Sequence, residues 1–305
     1  MKNFKIEQSK LWEHINQTQI TKDKIQDLKD FKSSDVNFRI TLWDPKTNGL
    51  RYLKLLLYNV AASMPSEIFK KILKIKNRDI GNPITIKYNS EEICLDYLQA
   101  VFELDFIEQH IRIDGLSILE IGAGYGRTCH SIISNHKIKS YSIIDLENCL
   151  NLSCRYLKKV LNKSDFSKIK FVEVKDFHLL DNSFFDICIN IDSFAEMEPN
   201  VVKYYLEYIN QNCHYFYVKN PVGKYMDKSL DNHHQGQELV NIALNTGVLR
   251  DVIDIHDNQA IKKKAPKFIE AYQPGKKWEC IANSWARPWS YFWQAIYKKI
   301  RDNKN

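Results

Sequence analysis

SILEIGAGYGRTCHSIISNHKIKSYSIID, residues 117–145, sets two short apolar runs around a glycine turn and a helical segment. Ser117 to Ile121 is rich in β-branched and aliphatic residues, which suits a strand buried on both faces, and Tyr141 to Ile144 repeats the pattern. Between them Gly122, Gly124 and Gly126 alternate with Ala123 and Tyr125, so the backbone can take positive φ and lie against a ligand without a Cβ in the way. Thr128 to Ser134 fits the return helix of a βαβ unit. An ordinary tight strand-to-helix connection remains the simplest alternative.

Two ligand classes use such a turn. A dinucleotide site wants G-x-G-x-x-G, with a helix N-terminus aimed at pyrophosphate. Here Gly126 comes one residue early and Arg127 stands where that pattern needs glycine. Glu120, two residues before Gly122, would oppose a phosphate and suit a cation. S-adenosylmethionine offers an ammonium, a sulfonium and a ribose diol, and Asp145, ending the second run, can accept from two vicinal hydroxyls. A nicotinamide cofactor is the competing reading.

These residues resemble class I S-adenosylmethionine-dependent methyltransferases, whose first motif is an apolar strand, an acid and then G-x-G-x-G. More narrowly, EIGAGYGRT, YSIIDLENCLNLSCRYL, NIDSFAEM and the upstream GNP, YN and LDYLQA are similar to a bacterial family of sugar O-methyltransferases, over roughly residues 38 to 220. The resemblance implies an α/β fold with a Rossmann-like, mostly parallel, seven-stranded sheet and an N-terminal helical accessory region. It also implies a cofactor set of Glu120, Gly122, Ala123, Gly124, Tyr125, Gly126, Asp145, Leu146, Asp176 and Ile191, with Asp176 beside the adenine. The acceptor it implies is a sugar hydroxyl of a surface polysaccharide or of a nucleotide-sugar precursor.

The chain of 305 residues can bury a sizeable core and leaves over a hundred residues beyond one catalytic domain. The expected division is 1–112 as helical accessory or lid region, 113–288 as the cofactor-binding domain, and 289–305 as an amphipathic helix and tail. No apolar run reaches the ~20 residues of a membrane span, and the polar start MKNFKIEQSK lacks a signal peptide's apolar segment. A cytoplasmic protein is expected. Its seven cysteines form no C-x-x-C pair and read as reduced, structural thiols. The net charge of +7 is spread among acids, without a nucleic-acid-binding signature.

Along the chain, residues 1–35 read as a polar helical arm or hairpin, WDPKTNGLRY as a turn, and 51–62 and 66–76 as helices. A further helix is expected over 90–109 with Ser90 as N-cap. Arg51, Tyr52, Asn82 and Tyr88 are candidates for a substrate wall by resemblance. Helix 147–161, strand 170–174, strand 184–191, helix 199–210 and strand 213–218 follow. Val248 to His256 and Trp278 to Trp285 are expected, by resemblance, as an antiparallel pair closing the sheet. The tail PWSYFWQAIYKKI has apolar residues at helical spacing with lysines alongside, fitting a helix docked on the domain, on a second subunit in a homodimer, or on the inner membrane face.

Ligands in open α/β sheets bind beyond the carboxyl ends of the strands, so Asp192, Ser193 and Glu196, just after the fourth strand, are placed for chemistry. A sugar hydroxyl is a poor nucleophile at neutral pH and calls for a general base or a metal that lowers its pKa. Glu196 leads as base, with Asp192 and His233 of the long loop 220–239 as rivals; His234 and His178 are weaker candidates. Magnesium held by Asp192 and Glu196 is the alternative mechanism. A different acceptor atom, or a catalytically silent cofactor-binding subunit, are the competing functions.

Overall fold

A computed structural model of the chain describes residues 10–18, 45–225, 229 and 236–300. They fall into two compact units, 1–59 and 60–305. The first contains α1 (Lys10–Thr18) and α2 (Pro45–Ala62) as far as Asn59, the latter kinked at Asn48. WDPKTNGLRY is therefore largely helical from Pro45, which suits the first helical turn because proline has no N–H to satisfy. The rest of the predicted N-terminal arm lies outside the described residues.

The second unit begins with α3 (Ser66–Lys74), a hairpin of β1 (Thr85–Tyr88) and β2 (Glu91–Cys94), and α4 (Leu95–Glu108). The helix predicted from Ser90 thus starts five residues late. Asn89 and Ser90 both take positive φ, +49° and +66°, the two-residue turn that joins twisted antiparallel strands. A serine followed by two acids imitates a helix start, but the turn geometry takes those residues for the hairpin.

Next come β3 (Ser117–Ile121), α5 (Arg127–Asn135), β4 (Ser140–Asp145), α6 (Glu147–Val160), α7 (Lys163–Phe166), β5 (Ile169–Glu173) and β6 (Phe185–Ile191). They are followed by α8 (Pro199–Asn212), β7 (Cys213–Pro221), α9 (Gln237–Asn245), α10 (Asn258–Ala271), β8 (Trp278–Trp285) and β9 (Phe292–Lys299). Seven strands form one sheet in the order β5-β4-β3-β6-β7-β9-β8, parallel except where β9 runs against both β7 and β8. This is the expected Rossmann-like, mostly parallel, seven-stranded architecture.

Side chains alternate across it. Ile118, Ile143, Ile187, Ile189, Tyr217 and Ile296 face α4, α5 and α6, while Leu119, Ile121, Ile144, Cys188, Phe216 and Val218 face α8 and α10. Both faces are covered, which is why the strands read as unbroken apolar runs.

The tail is a strand, not the predicted amphipathic helix. Phe292 to Tyr297 are all buried, including Gln294 and Ala295, whereas a docked helix would leave one face wet. Trp289, Phe292, Trp293, Ile296 and Tyr297 match helical spacing because a strand covered on both faces places apolar residues at every position. The membrane-facing helix falls with it, as does the predicted boundary at 288. Among the described residues no helix is long and apolar enough to cross a membrane. Val248 to His256 is not a strand of the sheet either. Its charged Arg250, Asp251 and Asp254 interrupt the apolar pattern, and it only clips Lys224, whose N–H donates to Asp251 O at 2.8 Å and whose carbonyl accepts from Ile253 N at 2.8 Å. The partner of β8 is β9.

Candidate active site

The carboxyl ends of β3, β4, β6 and β7 open into one cavity of about 640 Å3. Its floor is the glycine turn. Gly122, Gly124 and Gly126 take φ of +76°, +56° and +91°, so the alternation of glycines meets a backbone that L side chains rarely adopt. At Gly122 close approach adds to this, because a Cβ there would lie 2.2 Å from Ser193 Oγ. Gly126 closes the turn through its N–H to Ala123 O (2.9 Å) and packs on Leu157 of α6; it is not among the residues that line the cavity.

Asp145 ends β4 with its carboxylate turned toward this floor, Oδ2 accepting from Gly124 N at 2.9 Å and Oδ1 from Leu146 N at 2.8 Å. The Cys149 thiol is a third partner of this carboxylate, which with about four lone-pair directions still has acceptor capacity for a ligand. Leu146, Val174 and Val201 line the same cavity as exposed apolar side chains. Asp176 does not line the cavity. Val174–Leu180 winds as a 3-10 helix that buries Phe177 and Leu180 and presents Val174 to the cavity instead.

A buried amide network sets the fourth strand end. Asn190 Nδ2 donates to Ile121 O (2.9 Å) and Ser193 Oγ (2.6 Å), Ser193 Oγ donates to Ile121 O (3.1 Å), and Asn220 Nδ2 donates to Asn190 Oδ1 (2.9 Å). This ties β3, β6 and β7 together where the chain must turn sharply. Asp192 takes a left-handed φ of +65° there and lines the cavity, as does Glu196 four residues on. Asp192 is open to cavity solvent but surrounded by the concave floor; that burial, with Glu196 nearby, pushes its pKa up to about 6.

Beneath the turn Glu120 is 1% exposed and accepts from Tyr141 Oη at 2.8 Å. Burial pushes its pKa up to about 7, against the opposing pull of Tyr141, Thr128 and Arg127. Arg127 and Lys219 are the cations of the lining, and both are paired with Glu103 of α4, at 2.9 and 2.7 Å. Burial alone would raise Glu103, but Arg127 and Lys219 together hold it below the usual carboxylate range. Burial lowers Lys219, with Glu103 opposing.

The cavity gathers Glu120, Gly122, Ala123, Gly124, Tyr125, Asp145, Leu146, Ile191, Asp192 and Glu196 from the predicted set. His233 and His234 lie outside the described residues, and exposed His178 does not line the cavity. Asn82 and Tyr88 are not lining residues, and Arg51 and Tyr52 belong to the other unit. Ser193, expected beside Asp192 and Glu196, lines the cavity too, whereas sequence reasoning missed Gln99, Arg127, Lys219, Trp289 and Phe292. One signal was available: Lys219 breaks the apolar run of β7, and a buried lysine requires a partner. Among the described residues no group of three or more histidine, cysteine or acidic side chains is placed to hold a metal ion.

No protein-family model and no curated protein sequence matches the chain. Solved structures similar to it include the cyclase SpnF, at 12% identity and TM-score 0.48, covering 77% of this chain and 96% of that one. A second is an S-adenosylmethionine-dependent methyltransferase from Clostridium acetobutylicum, at 10% identity and TM-score 0.43, covering 67% and 91%. A third is the pyocyanin biosynthetic protein PhzM, at 10% identity and TM-score 0.44, covering 65% of this chain and 54% of that one. The chain thus spans about half the length of PhzM. At these scores the likenesses have no bearing on chemistry.

Proposed function

We propose that the protein is an S-adenosylmethionine-dependent methyltransferase acting on a hydroxyl oxygen, with a sugar of a surface polysaccharide or its nucleotide-linked precursor as acceptor. The observation that carries the cofactor class is the charge of the cavity. Four acids, Glu120, Asp145, Asp192 and Glu196, of which Glu120 is about half protonated at pH 7, line it against two cations that are already ion-paired to Glu103. A pyrophosphate finds no free cation among those residues, whereas a sulfonium and an ammonium find acids on several sides. Asp145 holds the ribose diol through the acceptor capacity left to its carboxylate. Leu146, Val174 and Val201 cover the adenine, and the Cβ-free turn lets the backbone approach.

S-adenosylmethionine supplies an electrophilic methyl group on sulfur. The rest of the work is positioning and proton removal by the chain. Asp192 and Glu196 stand at the end of β6, one strand beyond the glycine turn, where an acceptor hydroxyl meets that methyl. With a pKa of about 6, Asp192 is largely ionised at neutral pH yet basic enough to take a proton as the oxygen attacks. It therefore joins Glu196 as a candidate base on equal terms. The sugar acceptor rests on the resemblance of residues 38–220 and on an acceptor end rich in hydrogen-bonding groups.

The test is calorimetric titration with S-adenosylhomocysteine, beside Asp145→Ala and a parallel titration with NADH. Binding that falls about 10- to 100-fold in the variant, the worth of one or two hydrogen bonds to a charged acceptor, supports the reading. Binding of NADH, or none of S-adenosylhomocysteine, overturns it.

A further inference from the structure

The cavity has an end that the cofactor does not need. Across the sheet Asp145 sits on β4, the glycine turn on β3, Asp192 after β6 and Lys219 on β7. Three strand spacings separate Asp145 from Lys219, about 14 Å in all. Over that far end lies α4, whose Asp96, Gln99 and Glu103 are spaced to share one face. Each reaches toward the sheet's carboxyl end: Asp96 accepts from Tyr125 Oη at 3.1 Å, and Glu103 takes Arg127 and Lys219.

Gln99, half-buried, is held differently. Its Oε1 accepts from Trp289 Nε1 at 2.9 Å and from Lys219 Nζ at 3.4 Å. An indole N–H and an ammonium can only donate, so the carboxamide oxygen must face them and the NH2 must point away. That nitrogen has no hydrogen-bond partner among the described residues, and Gln99 lines the cavity together with both of its anchors and Phe292. A carboxamide clamped by two donors, with its own two N–H groups left toward a cavity, is a preorganised recognition group: its rotamer entropy is already lost before any ligand arrives.

We propose that Gln99 is an acceptor-recognition residue, whose carboxamide nitrogen donates to an oxygen of the acceptor adjacent to the hydroxyl that is methylated. The ligand class this defines is a polyol or sugar ring, which carries a second oxygen one carbon from the nucleophile. Asp192 and Glu196 meet the hydroxyl that reacts, and Gln99 holds its neighbour from the α4 side. The inference rests on the methyltransferase reading and narrows its acceptor. An acceptor without the second oxygen leaves the carboxamide N–H groups unpaired on closure, and it is rejected for that reason.

The experiment uses the full chain saturated with S-adenosylhomocysteine and the methyl glycosides of glucose, galactose and mannose as probes, followed by saturation-transfer NMR at millimolar concentration. Two variants separate recognition from structure. Gln99→Glu keeps both accepted hydrogen bonds, from Trp289 and Lys219, but replaces the donor by an acceptor; Gln99→Met keeps chain length and removes both. Probe affinity is expected to fall about tenfold in each, with S-adenosylhomocysteine affinity unchanged. A Gln99→Glu protein that binds the probes as the parent does makes Gln99 merely structural and overturns the proposal. A parent protein that binds S-adenosylhomocysteine but none of the glycosides overturns it as well. Failure to bind S-adenosylhomocysteine refutes the methyltransferase reading itself, and is distinguished by the titration alone.

Discussion

Replacing Gly122 by alanine should cost far more than one methyl group normally does. Three contributions can be worked from the geometry. At φ of +76° an alanine is in the left-handed region, at a cost of about 1–2 kcal/mol. Its Cβ would also fall 2.2 Å from Ser193 Oγ and 2.5 Å from Ser193 Cβ, so Ser193 must move. That displaces the hydroxyl from Ile121 O and from Asn190 Nδ2, two hydrogen bonds worth about 1 kcal/mol each. The total is about 3–4 kcal/mol, or roughly 5–6 °C in Tm for a chain of this size. Calorimetric melting of Gly122→Ala, Ser193→Gly and the double variant checks it. Ser193→Gly removes both clashing atoms and leaves its Cα at an ordinary 4.0 Å, so the double variant should melt no lower than Gly122→Ala alone. Strictly additive losses, or a Gly122→Ala protein that melts within a degree of the parent, would refute the close approach of the turn to Ser193.

Glu120 gives a prediction in pH. Its folded pKa of about 7 lies above the ordinary 4.5, so between those values the folded state holds more protons than the unfolded one and stability falls as pH rises. The penalty is absent below about 4.5 and complete above about 7, roughly 3 kcal/mol in size. Glu120→Gln keeps an oxygen for Tyr141 and cannot ionise, so its Tm should gain on the parent between pH 5 and 8; parallel curves would disprove the raised pKa. For the base, Asp192→Asn should abolish an inflection near pH 6 in methyl-transfer rate, whereas Glu196→Gln should keep an inflection in whatever activity survives but move it to lower pH, because the Glu196 charge helps to raise Asp192. A profile flat through pH 6 in the parent removes Asp192 from proton transfer.

Much of the site could be read from residues 117–145, because there the chemistry is local: a buried run, glycines at alternate positions and an acid at each strand end. What escaped reading depends on distant partners. Gln99 and Trp289 are separated by 190 positions, and nothing near either announces the other. Lys219 and Glu103 meet across 116 positions, although a lysine within an apolar strand was itself a sign. α10 escaped for a local reason, since Pro266 stands inside it and proline is normally read as a break. β9 shows the converse failure, a period of 3.6 satisfied by chance in a strand whose every position is covered.

The same strand governs when the molecule can fold. Among the sheet's seven strands β9 is the last in chain order and yet lies between two that precede it, so β7 and β8 have no shared neighbour until residue 299 is available. During synthesis β7 presents a long unpaired edge, the kind of surface that recruits other chains. The sheet closes by insertion rather than by growth at its margin, and a nascent protein stalled before Phe292 should be held by chaperones while the chain released from the ribosome should not.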